Sequence, residues 1–579
     1  MQGRRIMKFL AFLLTVALVA TSCGSDDIVA TDEEAMDEAA ETATDEVATS
    51  DDAADEAMEE ESMADDAGDE AMEEPEEEAM AEPEEEAMDE IFEVTYGIAE
   101  PAWIDSFNVQ ESEGFEIARL LYDGLTDLSS DLSAVPAVAE SWESPDNTVW
   151  TFTLRDDVMF HDGTPVTAES FVNAFNRVAN PENLSDVAYY GSYITGIAGW
   201  ADVEAGDATE VTGVEAKDDT TLVITLDGPY PLLPKAMSHP VFSPVADAQI
   251  DGNTDAPIGN GPYMMDGVWE HDVQVRLVRN ENHYGDAGNP DAINFKIFDS
   301  IETQYLEAQA GNLDISDVPP EKIENAASDF PDRYIQLDTG SYTYLGFPTQ
   351  TAPFDNPDIR KALSLAIDRD TIAQVIFSGT RAPANGFAPP LAPGATASCT
   401  NCLFDADAAK ELFDAAGGVG DEPLKIYFNS GSGHEEWIEA VANGWKQTLG
   451  VDAEFIGQEW PSHLETLQNS EHDGPYRLGW LWDLPSAENF LSPLFLSESG
   501  DNYSAYVNLD FDAAIEDFKA APSEADGFGA LATAQEILND DMPVLPIVFG
   551  RAQKVFTDRV GNVNYTVFGY TELENVTLN

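Results

Sequence analysis

Three stretches that follow one another carry the clearest structural signal in this 579-residue sequence: PAVAESWE at 136–143, WTFTLR at 150–155 and FHDGTPVTA at 160–168. Large apolar residues occupy every second position of 149–154, which predicts a half-buried strand. Asp162 and Gly163 are typical of a turn. Thr167 can then cap a helix whose apolar residues recur at helical spacing, namely Phe171, Ala174, Phe175 and Val178.

Similar patterns continue along the chain. Helical periodicity predicts amphipathic helices at 358–377, 405–416 and 435–449. Strand-like and helix-like stretches alternate throughout 91–579, a length that exceeds one ordinary hydrophobic core. We therefore expect mixed α/β domains.

The N-terminus has the plan of an export signal. Arg4, Arg5 and Lys8 precede an uncharged apolar run at 9–20, which is too short to span a bilayer comfortably. Small residues then lead to Cys23, as in the bacterial lipobox, although Ala20 stands where leucine is usual. We expect a lipoprotein signal peptide at 1–23 with lipid on Cys23, the alternative being ordinary cleavage.

Charge is distributed very unevenly. The chain has 25 Lys and Arg against 112 Asp and Glu, a formal net charge of −87, which argues against nucleic acid as a partner. Residues 24–90 hold 32 of the acidic residues and no Lys or Arg. Such a segment cannot bury enough apolar surface to offset its chain entropy, so it is predicted to be a disordered acidic linker.

The three cysteines and seven histidines give little sign of metal chemistry. Cys399 and Cys402 are separated by two residues, and in an exported protein a local disulfide is the first interpretation. The histidines are scattered without ligand spacing, so no metal and no cofactor are expected. The sequence has no Gly-x-Ser-x-Gly elbow, no His-Glu-x-x-His and no phosphate loop, which argues against an enzyme.

Further blocks extend the signal along the chain. They are GNGPY at 259–263, LVRNENHY at 277–284, AGNLDI at 310–315 and DIRKALSLAIDR at 358–369. Together with the three opening stretches, they resemble the peptide/nickel class of ABC solute-binding proteins over essentially all of 91–579. NRVANP at 176–181, QEW at 458–460 and RLGWLWD at 477–483 resemble its oligopeptide-binding branch.

This resemblance implies a fold of two α/β lobes joined by two crossing segments, like the type II periplasmic binding proteins, with an extra subdomain inserted in the first lobe. The implied boundaries are 91–137, 260–346 and 545–579 for the first lobe, 138–259 for the inserted subdomain and 347–544 for the second lobe. Ligand is expected to be enclosed when the lobes close.

The resemblance also implies a peptide site. Asp483 matches the residue that pairs with the peptide ammonium, and Arg477 and His434 match residues that meet its carboxylate. A third cationic position of the family falls on Leu467 and is therefore neutral. Four other residues match peptide contacts: the aromatic walls Trp460 and Trp480, Tyr190 (or its neighbour Tyr189) of the inserted subdomain, and Asp123, which stands where the family has a longer glutamate.

The expected function is capture of short peptides outside the cytoplasm and delivery to an ABC permease. The protein would be a monomer, held by lipid on Cys23 to the outer face of the cytoplasmic membrane. One alternative keeps the fold but changes the solute to a sugar, a nickel complex or haem. Another is a surface sensor that takes no part in transport.

Overall fold

The computed structural model describes residues 91–109, 111–183, 196–249 and 254–579. The strands are β1 Glu93–Ile98, β2 Thr126–Leu128, β3 Ala134–Pro136, β4 Ala139–Glu143, β5 Val149–Leu154, β6 Val214–Asp218, β7 Thr221–Thr225, β8 Tyr263–Met265, β9 Gln274–Arg279, β10 Ala292–Ile297, β11 Ile315–Asp317, β12 Tyr334–Gly346, β13 Arg381–Pro383, β14 Leu424–Asn429, β15 Ala453–Gln458, β16 Tyr476–Leu481, β17 Val544–Phe556, β18 Val560–Gly561 and β19 Thr577–Leu578.

The α-helices are α1 Ser112–Leu121, α2 Ala168–Ala179, α3 Trp200–Glu204, α4 Leu233–Ala236, α5 Ile301–Ala310, α6 Ile323–Asp329, α7 Pro357–Leu365, α8 Ala406–Ala416, α9 Glu435–Leu449, α10 Trp460–Gln468, α11 Glu488–Phe495, α12 Leu509–Lys519 and α13 Glu524–Asp541. A single turn at Arg369–Thr371 runs into a π-helical segment at Ile372–Ile376. No helix among the described residues is long and apolar enough to cross a membrane.

The predicted strand and helix at 149–178 are confirmed. In β5 the residues Trp150, Phe152 and Leu154 are buried while their neighbours are not. Thr167 is the N-cap of α2, and its backbone N–H donates to the Ser170 hydroxyl at 3.2 Å. Local periodicity suffices here because β5 and α2 each bury one face.

The single helix predicted at 358–377 is wrong. α7 ends at Leu365, and Asp368 begins a new turn by accepting the Thr371 N–H at 3.0 Å. The buried Arg369 guanidinium donates to the carbonyl oxygens of Ser364, at 3.1 Å, and Cys402, at 2.7 Å. These contacts hold the break in place, and they depend on residues far away in the sequence. The helices predicted at 405–416 and 435–449 are confirmed as α8 and α9.

One large sheet runs through both lobes of this two-lobed α/β fold. Its strand order is β15-β14-β16-β12-β17-β11-β1-β10-β9-β8, with β13 added beside β17. The first lobe contains β1 and β8–β11, and the second lobe contains β14–β16. The two longest strands, β12 and β17, have 13 residues each and pair antiparallel across the middle. In the strand order of this sheet, β12 and β17 are the two described strands placed between the two sets.

The pairing of β12 with β17 is interrupted at its centre. Asp338 is opposite Arg551 and Tyr342 is opposite Phe549, so 339–341 face Gly550 alone. A bulge of this kind bends a strand and increases its twist. The break lies between the part of β17 that pairs with β11 and the part of β12 that pairs with β16. This is the position that a hinge between the lobes requires.

A separate four-stranded sheet, in the order β4-β5-β7-β6, packs with α2, α3 and α4. We call residues 139–249 the small sheet unit. Its apolar residues belong to the same core cluster as those of the second lobe, whereas the first lobe has a cluster of its own around Val94, Phe295 and Ile315. The small sheet unit therefore touches the second lobe as well as the first.

The predicted domain boundaries remain predictions. The boundary at 346 coincides with the last residue of β12, and the one at 544 with the first residue of β17. Cys399 and Cys402, which are both buried, form a disulfide before α8, with their Cα atoms 5.3 Å apart. No group of His, Cys, Asp or Glu within the described ranges could hold a metal ion. The predicted signal peptide, linker and Cys23 lie outside those ranges.

Candidate ligand-binding site

The strand β16 and the loop that follows it carry most of the predicted site. β16 pairs with β12 along its length, but it pairs with β14 only where Tyr476 meets Tyr427. Beyond that pair, the β14 side of β16 is an edge among the described strands. Arg477 and Gly479 are half-buried and Leu481 is 50% exposed, while Tyr476 and Leu478 are buried. The more exposed residues of this edge strand thus start at Arg477 and continue along the strand towards Asp483.

Asp483 is half-buried one residue beyond the buried Trp482. Its backbone N–H donates to the Asn489 side-chain oxygen at 2.8 Å, which fixes the loop. Trp482 packs against β12 at Gly340, where an added Cβ would lie 2.1 Å from the indole ring. The Asp483 position is therefore coupled directly to the interrupted segment of β12.

Aromatic residues from distant parts of the chain gather near Asp483. The Trp482 and Phe568 ring centroids are 5.6 Å apart, those of Phe568 and Tyr570 5.9 Å, and those of Tyr570 and Phe115 6.1 Å. Burial raises the pKa of the Tyr570 phenol, and the charges of Glu116 and Asp483 raise it further. Asp483 thus lies where the second lobe meets α1 and the C-terminal segment.

Arg477 is a cation without a carboxylate partner among the described residues. Its guanidinium donates to the Asn429 side-chain oxygen at 3.0 Å, while its buried Nε has no hydrogen-bond acceptor there. Burial lowers the pKa of Arg477 to about 10, so it remains charged at neutral pH. A desolvated guanidinium of this kind favours an external anion, and carboxylates match its planar geometry.

His434 lies beside Arg477, immediately before α9. Burial, together with the positive charge of Arg477, lowers the pKa of His434 to about 4. Its Nδ1 accepts the indole N–H of Trp437 at 3.3 Å, which leaves Nε2 as the protonated nitrogen of the neutral ring. His434 can thus donate one hydrogen bond to an anion without adding charge.

His463 connects this cationic end with Trp460. The His463 ring nitrogen Nε2 is 2.8 Å from the Arg477 carbonyl oxygen, and the Trp460 ring centroid is 6.1 Å from that of His463. Trp460 is 45% exposed, as expected for the wall of an open cleft. Trp480 is half-buried, and its indole N–H has no acceptor within the described residues.

The remaining predicted residues are placed differently. Asp123 is held by His283, with 2.7 Å between Oδ2 and Nε2, and both side chains are mostly buried. Leu467 is 1% exposed and belongs to the core, so it presents no polar group to a ligand. Tyr190 and Tyr189 lie outside the described residues. The roles assigned to all these residues remain predictions.

Sequence reasoning missed Asn429, His463 and the Phe568–Tyr570 pair. Asn429 and His463 orient Arg477 from neighbouring elements, and no short motif links them to it. Phe568 and Tyr570 follow Asp483 by more than 80 positions and reach it only because β17 returns the chain to the first lobe. The apolar–polar pattern around them resembles that of any C-terminal segment.

A two-lobed fold with a pair of crossing strands and an accessible edge strand, β16, has the architecture of a solute-binding protein. Residues 133–502 match the family model described as "Bacterial extracellular solute-binding proteins, family 5 Middle". The chain belongs to this family. It is an extracytoplasmic binding protein and not an enzyme.

Individual relatives agree with that assignment. The chain is 30% identical over 494 residues to the periplasmic oligopeptide-binding protein OppA of Salmonella typhimurium, covering 82% of this chain and 89% of that protein. The unliganded open form of the murein tripeptide-binding protein MppA superimposes with a TM-score of 0.75 at 26% identity, covering 84% of this chain and 98% of the other. Haemophilus influenzae OppA in complex with the peptide RPPGFSPFR superimposes with a TM-score of 0.67 at 26% identity. The match covers 85% of this chain and 99% of the other.

Proposed function

We propose that this protein captures short peptides in the cleft between its lobes and hands them to an ABC importer. The observation that carries the proposal is the charge arrangement along one strand. An anionic side chain, Asp483, stands at one end of an accessible edge, and the guanidinium of Arg477, which has no carboxylate partner among the described residues, stands at the other. A peptide in water carries the complementary pair of charges, an ammonium and a carboxylate.

The edge of β16 offers main-chain hydrogen-bonding groups to which a peptide of any sequence can bind. An extended backbone can add to an open strand edge through main-chain hydrogen bonds, which give affinity without sequence preference. Asp483 and Arg477 are six positions apart, which corresponds to about 20 Å of strand. An extended peptide of roughly four to six residues spans that length. Related proteins named for oligopeptides and a murein tripeptide support the same ligand class.

Mass spectrometry of the ligands that co-purify with the wild-type protein tests the proposed solute class. We expect a mixture of short peptides with free ammonium and carboxylate groups. Asp483→Asn protein should carry much less of this mixture, whereas Asp157→Asn, at an exposed surface ion pair with Arg155, should not differ from wild type. A single sugar, a nickel complex or haem in place of peptides would contradict the proposal.

We also propose that lipid on Cys23 holds the mature protein at the outer face of the cytoplasmic membrane, where a permease can receive its ligand, and that it acts as a monomer. The support is the order of charge, apolar run and cysteine at the N-terminus. Intact mass spectrometry of the mature protein should show an acyl-modified Cys23, and Cys23→Ser protein should stay out of the membrane fraction. A mature wild-type protein without acyl mass would contradict the anchor.

A further inference from the structure

The loop that carries Asp483 is held from outside its own lobe. Residues 482–489, which we call the Asp483 loop, comprise the segment between β16 and α11 together with the first two residues of α11. Within the second lobe, Asn489 accepts the Asp483 N–H at 2.8 Å, and the Ala487 N–H donates to the Pro393 carbonyl oxygen at 2.9 Å. Two further polar contacts of this loop are made by side chains of the small sheet unit.

Lys235 of α4 makes the first of these contacts. Its ammonium donates to the Pro485 carbonyl oxygen at 3.1 Å and to Glu524 Oε2 at 2.7 Å. Lys235 is 5% exposed, and Pro485 is buried. An ammonium withdrawn from water is destabilising unless it is paired and hydrogen-bonded, so its two acceptors hold it in a defined position.

Tyr230 makes the second contact. Its buried hydroxyl donates to Glu488 Oε2 at 3.3 Å, and the Ser492 hydroxyl donates to the other oxygen of Glu488 at 2.6 Å. Burial raises the pKa of both Tyr230 and Glu488. Two side chains of the small sheet unit therefore contact the Asp483 loop. Lys235 binds it two residues after Asp483, and Tyr230 binds it five residues after Asp483.

We propose that Lys235 and Tyr230 are positioning residues that fix the Asp483 loop for recognition of a ligand ammonium. This inference rests on the proposed peptide function, in which Asp483 receives the ammonium. Charge-assisted contacts weaken sharply when a carboxylate moves away from its partner. Because Lys235 and Tyr230 belong to the small sheet unit, the carboxylate that meets the ligand is placed jointly by that unit and the second lobe.

A purely structural role of Lys235 would lower stability but would treat all ligands alike. A positioning role has a different signature, since it affects only ligands that present an ammonium to Asp483. The ratio of affinities for a free-amine peptide and its N-acetylated form isolates this effect. Double-mutant cycles then show whether Lys235 acts through Asp483, because residues that act together give non-additive effects.

The experiment is calorimetric titration of the full-length protein with an alanine peptide and with its N-acetylated form. Lys235→Met removes the ammonium at similar length, and we expect it to reduce the free-to-acetylated affinity ratio about tenfold. In the Asp483→Asn background the same change should reduce the ratio by less than about twofold. Lys217→Met is the matched control, because Lys217 lies in the small sheet unit but pairs at the surface with Glu215; its ratio should equal that of wild type.

Tyr230→Phe keeps the inference testable if Lys235→Met fails to fold. It removes only one hydroxyl from the same junction and should reduce the ratio about threefold. An unchanged ratio in the variants that fold, or equal effects with and without Asp483, would overturn the positioning role. If wild-type protein itself binds neither peptide, or both equally, the proposed function fails first and independently of Lys235.

Discussion

At the scale of single residues, the candidate site is defined by its charges. Several of the described arginines lie beside carboxylates, as Arg276 does beside Glu93 at 2.8 Å. Arg477 has an amide instead, and the neutral His434 next to it. The site therefore holds an excess of positive charge at one end and Asp483 at the other.

Asp483→Asn should test the anionic end. The substitution keeps the size of the side chain but removes its charge, so affinity for free-amine peptides should fall by about 2–5 kcal/mol. Affinity for N-acetylated peptides should be weak in wild type and change little in the variant. Calorimetry measures both, and Asp157→Asn serves as the control. Equal binding of free and acetylated peptides by wild type would contradict the assignment.

His239 should contribute a measurable pH dependence of stability. Burial lowers its pKa to about 3, and its ring accepts the Val241 N–H at 3.2 Å. Between its ordinary pKa of about 6.5 and pH 3, the unfolded chain binds a proton that the folded protein does not, so stability is lost as pH falls. From pH 7 to pH 5 this residue alone should cost about 2 kcal/mol.

His239→Asn provides the comparison, because asparagine does not titrate. Urea unfolding at pH 7 and pH 5 should show a smaller loss of stability in the variant than in wild type, by roughly that amount. All other titrating groups are shared, so the difference between the two proteins in the stability lost from pH 7 to pH 5 isolates His239. An identical loss in both proteins would show that the buried ring is protonated as easily as in the unfolded chain.

At the scale of secondary-structure elements, local pattern predicted what local forces determine. β5 and α2 follow their apolar periodicity, and α8 begins at Ala406, one residue after the predicted start of that helix. The break between α7 and the turn at Arg369 could not be predicted, because carbonyls such as that of Cys402 hold it from outside the segment. The same limit applies to Phe568 and Tyr570, which only the folded chain brings near Asp483.

The interrupted pairing of β12 with β17 gives a prediction at this scale. At Gly340 an added Cβ would lie 2.1 Å from Trp482, which is buried and cannot move aside freely. Gly340→Ala should therefore lower the free energy of unfolding by about 1–3 kcal/mol, the usual effect of overpacking. It should also disturb ligand binding, since Trp482 precedes Asp483.

Gly228→Ala is the matched control, because nothing lies within 4 Å of the added Cβ and the residue is exposed. Its stability should change by less than about 1 kcal/mol. Urea unfolding of the two variants and wild type measures the difference. Equal stability of Gly340→Ala and wild type would mean that the segment at 339–341 adapts without strain. The close packing against Trp482 would then not require glycine at position 340.

At the scale of the whole molecule, the resemblance carried by scattered sequence blocks predicted the two-lobed fold. It could not predict that the small sheet unit shares its apolar core with the second lobe, since that depends on packing between segments such as 230–235 and 485–524. Any closure of the lobes about β12 and β17 must therefore accommodate the contacts that the small sheet unit makes with the second lobe as well as those that it makes with the first. Ligand length is set at the same scale, by the distance between Asp483 and the cations.

Calorimetric titration with an alanine series of increasing length tests the peptide-binding account most directly. Wild type should bind best at one length, in the range of roughly four to six residues that spans Asp483 to Arg477. Arg477→Ala should lose that optimum while still requiring a free ammonium. Affinity that is flat across all lengths in wild type, or a length profile unchanged by Arg477→Ala, would contradict the claim that this strand holds a peptide by its two ends.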